Sequence, residues 1–100
     1  MGWERACAAD DLPPGEVLRL DVDPPIAVYN VDGEFYATAD TCSHAESSLA
    51  EGYLEGDTIE CVWHFARFCV RNGKALSLPA TVDLRTYAVR LEDGDVLVER

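Results

Sequence analysis

Two cysteine–histidine pairs hold most of the chemistry available to this chain: Cys42-Ser43-His44 and, after sixteen intervening residues, Cys61-Val62-Trp63-His64. These are its only two histidines, and each stands two or three positions after a thiol. Thiolate and imidazole are transition-metal ligands, and two centres compete for the set. Zinc accepts two Cys and two His in a tetrahedral structural site, but the usual finger spacing pairs Cys with Cys and His with His. The order here alternates. That order suits a two-iron two-sulfur centre in which two cysteines hold one iron and two histidines the other, so that each of two loops gives one thiolate and one imidazole.

Loops that face one another across a cluster need a rigid frame, and the rest of the sequence reads as short strands broken by turns. Glu16 to Val22 and much of Ile26 to Val31 alternate polar and apolar residues, which predicts half-buried strands. Asp32-Gly33 separates Val28-Tyr29-Asn30-Val31 from Glu34-Phe35-Tyr36-Ala37-Thr38 and predicts a two-residue hairpin, because both turn residues tolerate positive φ. Asn72-Gly73 and Asp93-Gly94 are read as the same device. From Thr41 to Gly56 the alternation stops, predicting a long loop with at most a short helical turn. Thr58 to Val62 and Phe68 to Arg71 read as strands, Leu78-Pro79-Ala80 as a third loop, and Tyr87 to Leu91 as a strand paired with Val96 to Glu99. The expectation is an all-β antiparallel sandwich or barrel, one domain over residues 1–100, with an inserted loop-rich region at about 41–80.

Composition narrows the function. A hydrophobic fraction of 48% with 27% charged residues belongs to a globular chain. The net charge of −11 argues against nucleic acid as a partner, since phosphate binding needs clustered Lys and Arg. Ten carboxylates fall between Asp21 and Glu60, and no Lys or Arg occurs from Asp21 to Ala66. A one-signed field of this kind steers association with a basic partner surface, or serves solubility alone. No long apolar run and no signal-like start are present, so the expected address is the cytoplasm, without a membrane partner. Thiols stay reduced there, which favours metal ligation over disulfides for the four cysteines. Cys7 and Cys69 have no histidine beside them and are read as small core residues.

The C-x-H and C-x-x-H motifs, with Phe68 and Asn72-Gly73-Lys74 following, resemble the Rieske ferredoxins. Ser48 to Asp57, Phe68 to Lys74 and Asp95 to Val98 resemble the ferredoxin components of bacterial aromatic-ring-hydroxylating dioxygenases of the biphenyl and toluene type. The resemblance implies the Rieske fold and one two-iron two-sulfur cluster on Cys42, His44, Cys61 and His64. It implies a monomeric carrier, not an enzyme, that takes single electrons from a flavin-containing reductase to a terminal oxygenase. A small Rieske subunit of a nitrite-reductase-like complex and a structural zinc module are the alternatives. Many family members have glycine after the second histidine; Phe65 stands there, and a side chain at that point predicts a different local backbone.

High-potential respiratory members of the family use a disulfide between the ligand loops, a serine hydroxyl to a bridging sulfide and a tyrosine hydroxyl to a cysteine sulfur. The matching positions here are Ser47 and Trp63, Ala66, and Phe68, and none can perform those roles. The expected potential therefore lies at the low end of the Rieske range of roughly −150 to +300 mV, and Ala66→Ser and Phe68→Tyr are expected to raise it. Trp63 and Phe65 are read either as a shield over the cluster or as an apolar docking tip. Pro79 stiffens a loop that covers the cluster in the family, and Arg67 is expected to form a surface ion pair.

Overall fold

The computed structural model describes residues 2–42, 47–62, 65–78 and 82–100. Its strands, in chain order, are β1 (Trp3–Ala8), β2 (Val17–Leu20), β3 (Ile26–Val31), β4 (Glu34–Ala39), β5 (Tyr53–Glu55) and β6 (Thr58–Glu60). They continue with β7 (Arg67–Cys69), β8 (Ala75–Ser77), β9 (Thr86–Tyr87), β10 (Val89–Glu92) and β11 (Asp95–Glu99). Three antiparallel sheets result, in the orders β1-β11-β10, β2-β3-β4-β9 and β5-β6-β7-β8. The all-β expectation holds. Among the described residues no helix is long and apolar enough to cross a membrane.

Strand β3 is the centre of the molecule. Every one of its residues is buried, where alternation alone predicts a half-buried strand. Both faces are covered because Ile26 and Val28 pack with Cys7, Leu12, Val96 and Val98, while Ala27, Tyr29 and Val31 join a second core with Leu49, Ile59, Phe68 and Val70. The polar residue on this strand is satisfied: the Asn30 side chain donates to the Leu12 carbonyl at 2.7 Å and accepts from the Gly33 N–H at 2.7 Å. That second bond fastens the β3–β4 turn, where Asp32 and Gly33 both take positive φ, 50° and 94°. Asp93-Gly94, at 52° and 80°, closes the β10–β11 hairpin in the same way.

Asn72-Gly73 does not. Only Gly73 takes positive φ (75°), in a wider turn in which the Gly73 N–H donates to the Cys69 carbonyl and the Cys69 N–H to the Lys74 carbonyl. A Cβ on Gly73 would stand 2.3 Å from the Leu84 carbonyl oxygen, so close approach to a neighbouring segment, rather than a tight hairpin, is what the glycine permits.

The third sheet is an insertion. β4 pairs directly with β9 through Ala37 with Tyr87 and Thr38 with Thr86, and residues 40–85 lie between them. Within this span the segment expected to be loop through Gly56 has the short helical turn allowed for, a 3-10 turn at Leu49–Glu51, but also the strand β5, which pairs with β6. Its three residues are too few to show a period.

Candidate metal centre

The two motif cysteines occupy equivalent places in two hairpin-like loops. In the first, Thr41 and Ser48 form an antiparallel bridge, and the Cys42 N–H donates to the Ser47 carbonyl at 2.9 Å. In the second, Glu60 pairs with Arg67 across β6 and β7, and the Cys61 N–H donates to the Ala66 carbonyl at 2.8 Å. Each cysteine is thus the first residue past the last paired position. A backbone bond at each neck fixes where its Cβ points. His44 and His64 belong to these same loops by sequence but lie outside the described residues, as do Trp63, Pro79 and Ala80.

Both thiols are buried, Cys61 completely, in one core cluster with Leu49, Ile59, Ala66 and Phe68. No disulfide links the four cysteines. The Ser47 hydroxyl lies 2.8 Å from Cys61 Sγ, so a residue of the first loop touches the cysteine of the second. Two buried thiols in one core, one of them against a hydroxyl, have the chemistry that thiolate ligation of a metal requires. Ala66 and Phe68, fully buried, bring no side-chain donor.

Three features escape the sequence. Asp40 is buried to 1% exposure, two residues before Cys42; its carboxylate accepts the Ala50 N–H at 2.9 Å and stands 3.7 Å from Arg19 Nε. Phe65 takes φ of 57°, so the backbone keeps the left-handed conformation that a glycine would supply, and the expectation of a different local backbone is overturned. The residue is 67% exposed. Cys69 is only half-buried and outside both cores, because alternation along β7 sends Phe68 inward and Cys69 to the other face; Cys7 is a core residue as expected. Arg67 pairs with Glu60 at 3.2 Å, the expected surface ion pair.

A family model described as "Rieske [2Fe-2S] domain" matches residues 2–88. The chain belongs to that family. Its cofactor is a Rieske two-iron two-sulfur cluster, not a structural zinc ion. The chain is 58% identical over 100 residues to the ferredoxin component of biphenyl 2,3-dioxygenase from Rhodococcus jostii (strain RHA1), covering 99% of this chain and 94% of that one. It is 55% identical over 95 residues to the 3-phenylpropionate/cinnamic acid dioxygenase ferredoxin subunit of Escherichia coli (strain K12), covering 94% and 90%. Among solved structures, a chain in the complex of reduced oxygenase and oxidized ferredoxin of carbazole 1,9a-dioxygenase superposes with a TM-score of 0.94 at 45% identity, over 96% of this chain and 91% of that one. The Sphingomonas yanoikuyae B1 ferredoxin superposes at 0.92 with 35% identity, over 99% of each chain. This Rieske protein is accordingly a ferredoxin, an electron carrier and not itself an enzyme.

Proposed function

We propose that Cys42 and Cys61 hold the inner iron and His44 and His64 the outer iron, and that the carrier delivers single electrons from a flavin-containing reductase to a terminal aromatic-ring-hydroxylating oxygenase. The observation that carries the ligand assignment is the equivalence of the two loops: each presents a buried cysteine just past a paired neck, with a histidine two or three residues on. When bound, the cluster would supply a one-electron couple.

The chain's own residues do the rest. The necks fix both cysteines, the apolar core around Cys42 and Cys61 excludes water from their sulfurs, and Phe65, next in sequence to His64, is exposed. The relatives belong to dioxygenases of biphenyl and of 3-phenylpropionate and cinnamic acid, which supports an oxygenase of aromatic compounds as the acceptor. The field from the carboxylates between Asp21 and Glu60 supports steering toward a basic partner surface. The same reading takes the carrier to be a monomer working in the cytoplasm, with a cluster-binding region at about 41–80.

Reconstitution tests it. Purified protein with a flavin-containing reductase and a terminal oxygenase is expected to support ring hydroxylation that neither partner sustains alone, at a rate that falls as salt rises. The His44→Ala and His64→Ala proteins are expected to lose the paramagnetic signal of the reduced Rieske centre. An unchanged signal in either variant refutes the ligand assignment.

A further inference from the structure

We infer that the Ser47 hydroxyl donates a hydrogen bond to the Cys61 sulfur and thereby raises the reduction potential, acting from the loop opposite that cysteine. The inference rests on the ligand assignment of Cys61 proposed above. Ser47 cannot form the disulfide of the high-potential members, but its hydroxyl reaches sulfur by another route.

The geometry is specific. Ser47 Oγ and Cys61 Sγ are 2.8 Å apart, with Ser47 7% exposed and Cys61 fully buried. Between a hydroxyl and a thiol either atom could donate. A cysteine bound to iron has no proton, so the direction becomes fixed and the hydroxyl donates. The Ser47 backbone is held on both sides, by the Cys42 N–H on its carbonyl and by the bridge between Thr41 and Ser48. Cys61 is held by its own bond to Ala66. The donor is therefore positioned before an electron arrives and needs no rearrangement when it does.

An added electron increases the negative charge shared by the ligand sulfurs. A hydrogen bond to sulfur strengthens with that charge, and more so away from water. Ser47 stabilises the reduced form more than the oxidised form, and no proton leaves its oxygen. Ala66, at the corresponding neck position of the second loop, has no hydroxyl to do the same.

The test uses the cluster-loaded protein and its Ser47→Ala and Ser47→Thr variants. Iron and sulfide content and the reduced paramagnetic signal confirm loading. At fixed solution potential the alanine variant is expected to hold about tenfold less reduced form relative to oxidised, a fall of about 59 mV for one electron, while threonine keeps most of the parent value. The cysteine–iron stretching bands, identified by sulfur-isotope labelling, are expected to shift in heavy water in the parent and threonine proteins and to shift less in alanine. A loaded Ser47→Ala protein with the parent potential overturns the inference. Should alanine not load, Ser47→Gly removes the same hydroxyl; should neither load, bands that stay in place in heavy water in the parent overturn it. Failure of the ligand assignment reads differently: a Cys61→Ser protein with unaltered iron content and spectrum.

Discussion

The Asp40 carboxylate accepts the Ala50 N–H at 2.9 Å, so a side chain just past β4 holds the turn that follows the Cys42 loop. The Asp40 carbonyl accepts the Leu49 N–H at 2.7 Å, and the Asp40 N–H donates to Pro25 at 3.0 Å. One residue thus ties together the segments before and after Cys42 and His44. Replacing Asp40 by Ala leaves the Ala50 N–H without its charged acceptor in a half-buried site, at a cost of about 2 kcal/mol. The expected result is a lower thermal midpoint and faster bleaching of the bound cluster under chelator, with Asp40→Asn intermediate because its carbonyl oxygen still accepts. Equal bleaching rates in parent and Asp40→Ala would show that this tie does not hold the loop.

Phe65 carries a left-handed backbone at an exposed position. An L-residue there costs roughly 1–2 kcal/mol that glycine avoids, set against glycine's greater freedom in the unfolded chain. Phe65→Gly is expected to gain about 1 kcal/mol, seen as a thermal midpoint higher by several degrees. Phe65→Ala keeps the strain and is expected to show no such gain. The same two variants separate stability from docking: loss of the ring should weaken electron delivery to the oxygenase in both.

Tyr29 gives a pH dependence. It is fully buried on β3, its hydroxyl 2.8 Å from Thr38 Oγ1. Burial pushes the phenol far above its ordinary value; the bond to Thr38 works against the rise and Asp40 adds to it. The unfolded chain loses the Tyr29 proton near pH 10 while the folded protein keeps it, so the folded state binds more protons and stability falls as pH rises. This contribution is fully present below about pH 10 and is lost at up to about 1.4 kcal/mol per pH unit above it. Tyr29→Phe should flatten that slope. A phenolate absorbance from every tyrosine of the folded protein at about pH 11 would contradict the assignment.

Gly52 lies where a Cβ would stand 2.2 Å from the Glu60 carbonyl oxygen and 3.1 Å from that of Leu49. Both atoms are backbone, so neither can swing away. Gly52→Ala is expected to cost about 3 kcal/mol. Because Glu60 immediately precedes Cys61, the same change should reduce cluster loading on reconstitution, measured as iron and sulfide per chain.

The residues with chemistry were legible because metal ligation demands particular atoms at short spacing: Cys42, His44, Cys61 and His64 stand out whatever the fold around them. The hairpins at Asp32-Gly33 and Asp93-Gly94 were legible for a similar reason, since few residues tolerate two successive positive φ values. Local rules reached less far where neighbours distant in sequence decide. Strand β3 is buried on both faces only because other sheets lie over it on each side, and β5 exists through its pairing with β6. Gly73 answers to Leu84 and not to a hairpin.

By itself, the sequence determined that two thiol–imidazole pairs with metal-ligating chemistry are present and that short antiparallel strands would frame them. Tertiary structure alone decided that Ser47 meets Cys61 across two loops, that Asp40 closes the first of them, and that Phe65 is held in a glycine-like conformation. The physical reason is that thiol and imidazole chemistry belongs to each residue wherever it sits. Hydrogen-bond partners and backbone strain are set by distances between segments that the chain brings together only on folding.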